Sequence, residues 1–510
     1  MSIKTIGIVG AGFGGLSAAR VFDAMGYDVT VYEKEAEVGG VWSASRRYPG
    51  LTTQNPRTTY ALSDFPMPSD YPEWPSGEQV QAYMHAYAVH FGFLERIHLN
   101  TEVTDARFEE QDMRWAVTVR STKPAGGEQS TTAYFDYLII ANGIFSVPMI
   151  PDYPGAKDFE AQGGQILHTS QFNDREAARS KHVLVVGYGK SSCDVANAIA
   201  DSTASTTVVA RTLIWKLPKR LANVLNFKHL FLTRLSEALF RYIRLRGFER
   251  FLHGIGNPLR RAMLGSMEWV IERQLHLRRL DLHPNKPLES IARSTVSLVT
   301  DGFYEKIESG EIGIRKNAEI SRLEPGKAIL DSGETLPADM VICGTGWRQV
   351  CPFLDEAIMQ KVTDEKGNFR LYRSVLPIGV PRLAFNGYNS SFFSQLNCEI
   401  AALWLADYLE GGIELPSLEI QNVYADRKLA WMEARTDGKH SKGTNIIPFS
   451  IHHIDELLDD MNMNLAVSTR IKQWFSALDP GDYAHLLPAL QQKYARQNTP
   501  TVEFGHEKRV

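Results

Sequence analysis

Cysteine is scarce in this sequence. Its 510 residues hold four, Cys193, Cys343, Cys351 and Cys398, and no two lie at CxxC spacing. Neither a disulfide framework nor a zinc site is expected, and no cysteine pair has the spacing a disulfide reductase needs. No run of about 18 apolar residues occurs, so no transmembrane helix is expected. Neither sign of charge dominates: the net charge of −4 points to no nucleic-acid partner. The first apolar strand pattern begins within a few residues of Met1, which leaves no room for a signal peptide. A reducing cytoplasm is the compartment these features predict. With 44% hydrophobic and 22% charged residues, the chain reads as globular and long enough for two or three domains.

Glycine is where the sequence becomes specific. Ile6-Gly-Ile-Val-Gly10-Ala-Gly12-Phe-Gly-Gly15 reads as a buried strand, a glycine turn and the start of a helix. In such a turn the first glycine bends tightly, the second admits a pyrophosphate to the backbone, and the third lets helix and strand pack closely. The helix N-terminus then holds the anion with free N–H groups and its dipole. The next strand, from Asp28, ends in Glu33, an acid placed to grip ribose hydroxyls; it suits FAD or NAD and rejects a 2′-phosphate. A second copy of the pattern follows at Gly187-Tyr-Gly189-Lys190-Ser191-Ser192, with Ser192 in the third glycine's place. Glu33 lies 23 residues after Gly10, and Arg211 lies 24 after Gly187. Where the first domain offers a carboxylate, the second offers a guanidinium suited to the 2′-phosphate of NADPH.

Between and beyond these turns the pattern is α/β. Gln79 to Phe93 has helical spacing. Leu99–Val103, Trp115–Arg120 and Tyr134–Phe135 read as strands, and Tyr137–Ala141 as a buried parallel strand ahead of Asn142-Gly143. Residues 51–75 form a long irregular loop of the kind that is usually functional. The stretch 212–290 reads as a basic helical insert. Lys216 to Lys286 holds 15 Lys and Arg against 5 Asp and Glu, a local charge of +10 that leaves −14 elsewhere. Phe227, Leu230, Phe231, Leu235, Leu239 and Tyr242 recur at three- and four-residue spacing, with Arg234, Arg241 and Arg244 between them. This stripe is expected either to pack on the core or to touch a membrane surface. Asp339–Trp347 echoes Leu138–Gly143, which suggests a domain inserted within a domain. A helix is expected at Ser394–Leu409 and another at Ile454–Asp460.

Both glycine turns, with Gly164-x-x-x-His168-x-x-x-Phe172 between them, resemble the signature of class B flavin-dependent monooxygenases, which include the flavin-containing and the Baeyer–Villiger monooxygenases. Gly39-Gly40-Val41-Trp42, Asp64-Phe65-Pro66, Ala141-Asn142-Gly143 and Gly344-Thr345-Gly346-Trp347 resemble that group as well, so the likeness covers about residues 1–410. Three departures stand out. Gln162 replaces the Phe that usually opens the middle motif. Phe172 closes it where Baeyer–Villiger members have Trp. Thr295 and Val296 occupy the positions of their Lys-Arg pair, with Arg293 nearby.

The resemblance implies an α/β fold of two dinucleotide-binding (Rossmann-like) domains, the NADPH domain inserted within the FAD domain, with a helical insert. Its boundaries are expected at 1–155 and 339–440 for the FAD domain, 156–338 for the NADPH domain and 441–510 for a C-terminal segment. It further implies a monooxygenase in which NADPH reduces FAD. A flavin C4a peroxide then passes one oxygen atom of O₂ to a small lipophilic amine or sulfide, or alternatively to a ketone. FAD is expected against Gly10, Gly12, Gly15, Glu33, Gly40, Trp42, Val103, Ala141 and Gly143. NADPH is expected against Gly187, Gly189, Ser191, Ser192, Arg211 and Gly346, with His168 as a linker histidine between the domains. Lys216, Lys219 and Arg220 are further candidates for the 2′-phosphate. Gln54 or Asn55 stands at the position of the family's flavin-side Asn, and which amide faces the ring is left open.

Overall fold

The computed structural model describes residues 3–123, 130–293, 297–389, 391–436 and 450–497. Two five-stranded parallel sheets organise it. The first runs Leu383–Phe385, Tyr137–Ile140, Thr5–Val9, Asp28–Tyr32, Ile97–His98 from edge to edge. The second runs Ile312–Lys316, Ser205–Ala210, His182–Val186, Met340–Cys343, Gln165–His168. In each sheet the strand before the glycine turn is central, flanked by the strand that follows the turn's helix and by an apolar strand ending in small residues. These central strands are rich in Val, Ile and Leu because both of their faces are covered. A three-stranded antiparallel sheet, Thr101–Glu109, Arg114–Ser121 and Ser130–Phe135, sits against the first sheet in one apolar cluster with Trp115 and Phe385.

The second sheet lies, in chain order, between two strands of the first, so one unit is inserted within the other. The boundary differs from the sequence expectation. Met340–Cys343 is bonded between His182–Val186 and Gln165–His168, so the chain leaves the second unit after Cys343 and not at residue 338. The apolar strand that closes an α/β unit belongs to the sheet that supplies its hydrogen bonds. The reading of Leu99–Val103 as one strand also fails. Asn100 has φ +53° and turns the chain out of the first sheet at His98 and into the antiparallel sheet at Thr101.

The helix Ser394–Leu409 returns the chain to the first unit and packs along Phe13–Ala24. It is buried on nearly every side, which explains its lack of a polar face. The insert is less helical than its periodicity suggested. Residues 216–226 form short paired strands, and the expected amphipathic helix is two short pieces, Lys228–Phe231 and Arg234–Ala238, broken where Thr233 adopts an extended conformation and caps the second. Phe227, Leu239 and Tyr242 point into the main core, so the stripe is a packing face. Arg234 is buried too, paired with Asp455 of the C-terminal segment. That segment adds Ile451–Met461, Val467–Phe475 and Leu486–Gln497. The helix expected at Ile454–Asp460 lies within the first of these; residues 441–449 fall outside the described range. Among the described residues no helix is long and apolar enough to cross a membrane.

Candidate active site

The first glycine turn is built by close approach. Gly10 has φ +103°, and a Cβ there would lie 2.6 Å from the Ala141 carbonyl oxygen. A Cβ on Gly15 would lie 1.8 Å from the Gly10 carbonyl oxygen, so the helix reaches the strand only because that position is glycine. Glu33, just past the second strand, is buried; its carboxylate accepts the N–H of Ala11 at 2.7 Å and of Glu35 at 2.9 Å. Burial pushes its carboxyl up, and those two N–H donors pull it back.

A cavity of about 330 Å³ opens over this turn. Gly10, Gly12, Glu33, Gly40, Trp42, Val103, Ala141 and Gly143 line it, and Gly15 lies beneath. Its wall carries two buried amide oxygens without a partner, Asn386 Oδ1 and Gln395 Oε1. A planar ring system bearing N–H donors, as FAD has, fits such a wall; a purely apolar ligand would leave both acceptors unpaired.

A second cavity of about 380 Å³ adjoins the first. Gln54, His168, Gly189, Ser191 and Gly346 line it, and Trp42, Arg46, Tyr60 and Gln395 line both. Asn55 lines neither: it is buried, and its Nδ2 donates to the Phe392 carbonyl at 2.6 Å. Gln54 accepts the Leu298 N–H on Oε1 at 3.2 Å, which leaves its Nε2 as a donor. Of the two amides, the structure brings only Gln54 to the cavities. His168 is buried and bridges the units. Its Nδ1 accepts the Ser170 N–H at 3.2 Å, so the proton sits on Nε2, 3.1 Å from the Gly346 carbonyl. Burial pushes its pKa down to about 4, so the ring is neutral and both nitrogens are engaged.

The second glycine turn carries Ser192, whose Oγ donates to the Val186 carbonyl at 3.3 Å. Gly187, with φ +109°, and Ser192 lie under the turn and do not line the cavity. Arg211 stands at the end of its strand, 77% exposed, and among the described residues its one ion-pair partner is Glu319 at 3.9 Å. The other basic candidates are already committed. Lys216 is buried on the Tyr188 carbonyl, Lys219 pairs with Asp301, and Arg220 pairs with Glu73. Thr295 and Val296 and the side chain of Arg293 lie outside the described residues.

Sequence reasoning missed Arg46, Tyr60 and Gln395. Gln395 left a faint signal, an amide in the first turn of a helix that carries a long apolar run, Ile400–Ala406; Arg46 left none. Arg46 is half-buried, donates to the Phe145 carbonyl at 2.6 Å and lies 5.0 Å over the Trp347 ring, with no carboxylate bonded to it among the described residues.

Two parallel sheets, each with a glycine turn, whose cavities meet at one wall, define an oxidoreductase with two dinucleotide sites. The family described as flavin-binding monooxygenase-like matches residues 3–470, and the chain belongs to it. It is an FAD- and NADPH-dependent monooxygenase. It is 28% identical over 499 residues to a probable flavin-containing monooxygenase 1 of Arabidopsis thaliana, covering 91% of this chain and 93% of that one. S-allyl-L-cysteine S-oxygenase of Allium sativum shares the fold at 18% identity and TM-score 0.60, over 97% of this chain and 100% of that chain. OTEMO in complex with FAD and NADP aligns with TM-score 0.67 at 16% identity, over 91% of this chain and 98% of the other. An open form of cyclohexanone monooxygenase does so with TM-score 0.63 at 16% identity, over 90% and 97%.

Proposed function

We propose that this enzyme transfers one oxygen atom to a soft nucleophile, a small lipophilic sulfide or amine, in the second cavity. The observation that carries the reading is the makeup of that cavity. Its one histidine is neutral and engaged at both nitrogens, Nδ1 by the Ser170 N–H at 3.2 Å and the Ser170 hydroxyl at 2.9 Å and Nε2 by the Gly346 carbonyl at 3.1 Å, so the ring offers no free nitrogen as a general base. A sulfide or amine needs none, because it brings its own electron pair. The first cavity takes FAD through Glu33 and the wall amides, and the second takes the nicotinamide end of NADPH past Gly189 and Ser191. FAD, reduced by NADPH and met by O₂, supplies the oxygenating chemistry. The chain would position and dry it: Gln54 Nε2 is the donor that would meet a polar atom of the ring, while Trp42, Tyr60 and Phe392 would keep water out. Cys398 is the one cysteine on the first cavity, which leaves the disulfide-reductase reading without a second thiol.

Arg46 supports a second reading. A half-buried cation at the meeting of the cavities suits oxygen insertion beside a ketone, which needs a negatively charged oxidant held in place. NADPH-dependent O₂ uptake with product analysis on a sulfide, a tertiary amine and a cyclic ketone separates the two. Sulfoxide or N-oxide is expected. A lactone with no heteroatom product would establish the Baeyer–Villiger reading, and hydrogen peroxide in stoichiometric yield with no oxygenated product would overturn both.

A further inference from the structure

The apolar stripe that periodicity singled out is buried, but another part of the insert is not. Phe248, Phe251, Ile255 and Leu259 all stand in solvent, Ile255 with 89% of its surface exposed. The short C-terminal helix Val467–Phe475 continues this surface. Val467, Ile471 and Phe475, four residues apart and so on one face, are 73%, 56% and 78% exposed. The two strips touch. Phe248 stacks on Phe251 at 5.4 Å and meets Trp474 edge-on at 6.0 Å. Isolated exposed apolar residues are ordinary, whereas a continuous strip drawn from two distant segments marks a docking surface.

The charge around the strip is net basic, with three of its six cations paired to acids. Arg244, Arg250 and Arg261 are exposed and make no ion pair among the described residues. Arg246, Arg470 and Lys472 add to it, facing Asp459, Asp455 and Asp482. The one carboxylate between Arg244 and Arg261, Glu249, is turned inward to His452, and Val467–Phe475 contains no acid. A second copy of the chain, docking strip to strip about a two-fold axis, would set these arginines against themselves.

We propose that this face docks on an anionic bilayer surface, with the exposed Phe, Ile and Val side chains at the headgroup boundary and Arg244, Arg250 and Arg261 at lipid phosphates. The proposal is independent of which substrate the active site oxygenates.

Flotation of the FAD-loaded full chain with phosphatidylcholine vesicles, with and without phosphatidylglycerol, tests it. Wild type is expected to float with the anionic vesicles, less with the neutral ones, and less as salt rises. The double variant Ile471→Ser/Phe475→Ser should lose at least about tenfold in partition. Arg250→Glu/Arg261→Glu should lose about fivefold or more per residue on anionic vesicles alone. Because all four side chains are exposed, both variants should keep the wild-type melting temperature and NADPH oxidation in free solution. No flotation of wild type, equal flotation with neutral vesicles, or double variants that float like wild type would each overturn the proposal. So would a dimer in sedimentation that Ile471→Ser/Phe475→Ser dissolves, since the surface would then belong to a second copy.

Discussion

Ser192 Oγ and Gly344 share one space: a Cβ on Gly344 would lie 2.0 Å from that hydroxyl. The third position of the second glycine turn tolerates a side chain because the neighbouring strand end gives one up. Gly344→Ala should therefore destabilise the protein by about 1–3 kcal/mol, as overpacking of a close contact does. Melting curves should show Ser192→Gly restoring most of that loss in the double variant. Equal melting temperatures for the single and double variants would disprove the pairing.

Glu33 holds two backbone N–H groups and faces the first cavity. Glu33→Gln exchanges one carboxylate oxygen for a donor that cannot accept. The loss of charge-assisted hydrogen bonds of about 1.5–3 kcal/mol should weaken FAD retention roughly 10–150-fold. The bound-flavin absorbance after gel filtration measures it; wild-type flavin content would remove Glu33 from the site.

Arg211 is exposed and among the described residues makes one long ion pair, at 3.9 Å to Glu319, so its removal disturbs little of the fold. Arg211→Ala should raise KM for NADPH about 10–150-fold and leave KM for NADH nearly unchanged. The paired committals of Lys216, Lys219 and Arg220 leave them unable to compensate. A ratio of the two KM values equal to that of wild type contradicts the assignment.

Gln54 lines the second cavity and Asn55 does not. Gln54→Ala should keep NADPH oxidation within about threefold while hydrogen peroxide replaces part of the oxygenated product, as loss of one preorganised donor lowers the yield of the step it serves. Asn55→Ala should act through stability, since it removes the 2.6 Å bond to Phe392. Oxygenation yield per NADPH and melting temperature, read on both variants, distinguish the two roles.

His452 ties the C-terminal segment to the insert. Glu237 accepts the N–H groups of Ser450, Ile451 and His452 at 3.0, 3.0 and 2.9 Å, and the two ring nitrogens of His452 meet Glu237 and Glu249. Burial alone would lower the pKa of this ring; the two carboxylates outweigh it and raise it to about 10. Since the folded value lies above the unfolded one of about 6.5, the stabilisation is full below pH ~6.5 and is lost as pH rises toward 10. The melting-temperature gap between wild type and His452→Gln should narrow steadily across that window. A gap independent of pH would show that the ring is held by packing alone.

Local chemistry made much of this protein readable in one dimension. Gly10, Gly15 and Glu33 act through backbone approach and a fixed chain distance, and the helix Ser394–Leu409 shows in its apolar run Ile400–Ala406. The inserted order of the two units was legible because two apolar strands, Tyr137–Ile140 and Met340–Cys343, run into small residues on either side of the second glycine turn. Other features turn on what lies across space. The periodicity of Phe227–Tyr242 is a real packing signal, but periodicity does not say what covers a face, and here it is the main core. Asn100 breaks a strand because two sheets compete for the residues on either side of it.

The sequence by itself indicated that two dinucleotides are held, and it set a carboxylate after one glycine turn and a guanidinium after the other, because those residues stand within about 25 residues of each turn. Only the tertiary structure decided which neighbouring amide meets the cavity, since Gln54 and Asn55 differ by one residue and a loop without period assigns no face. It also decided that Arg46 and Gln395, drawn from opposite ends of the first unit, form the wall where the two cavities meet, for no spacing along the chain encodes a contact between residues 46 and 395.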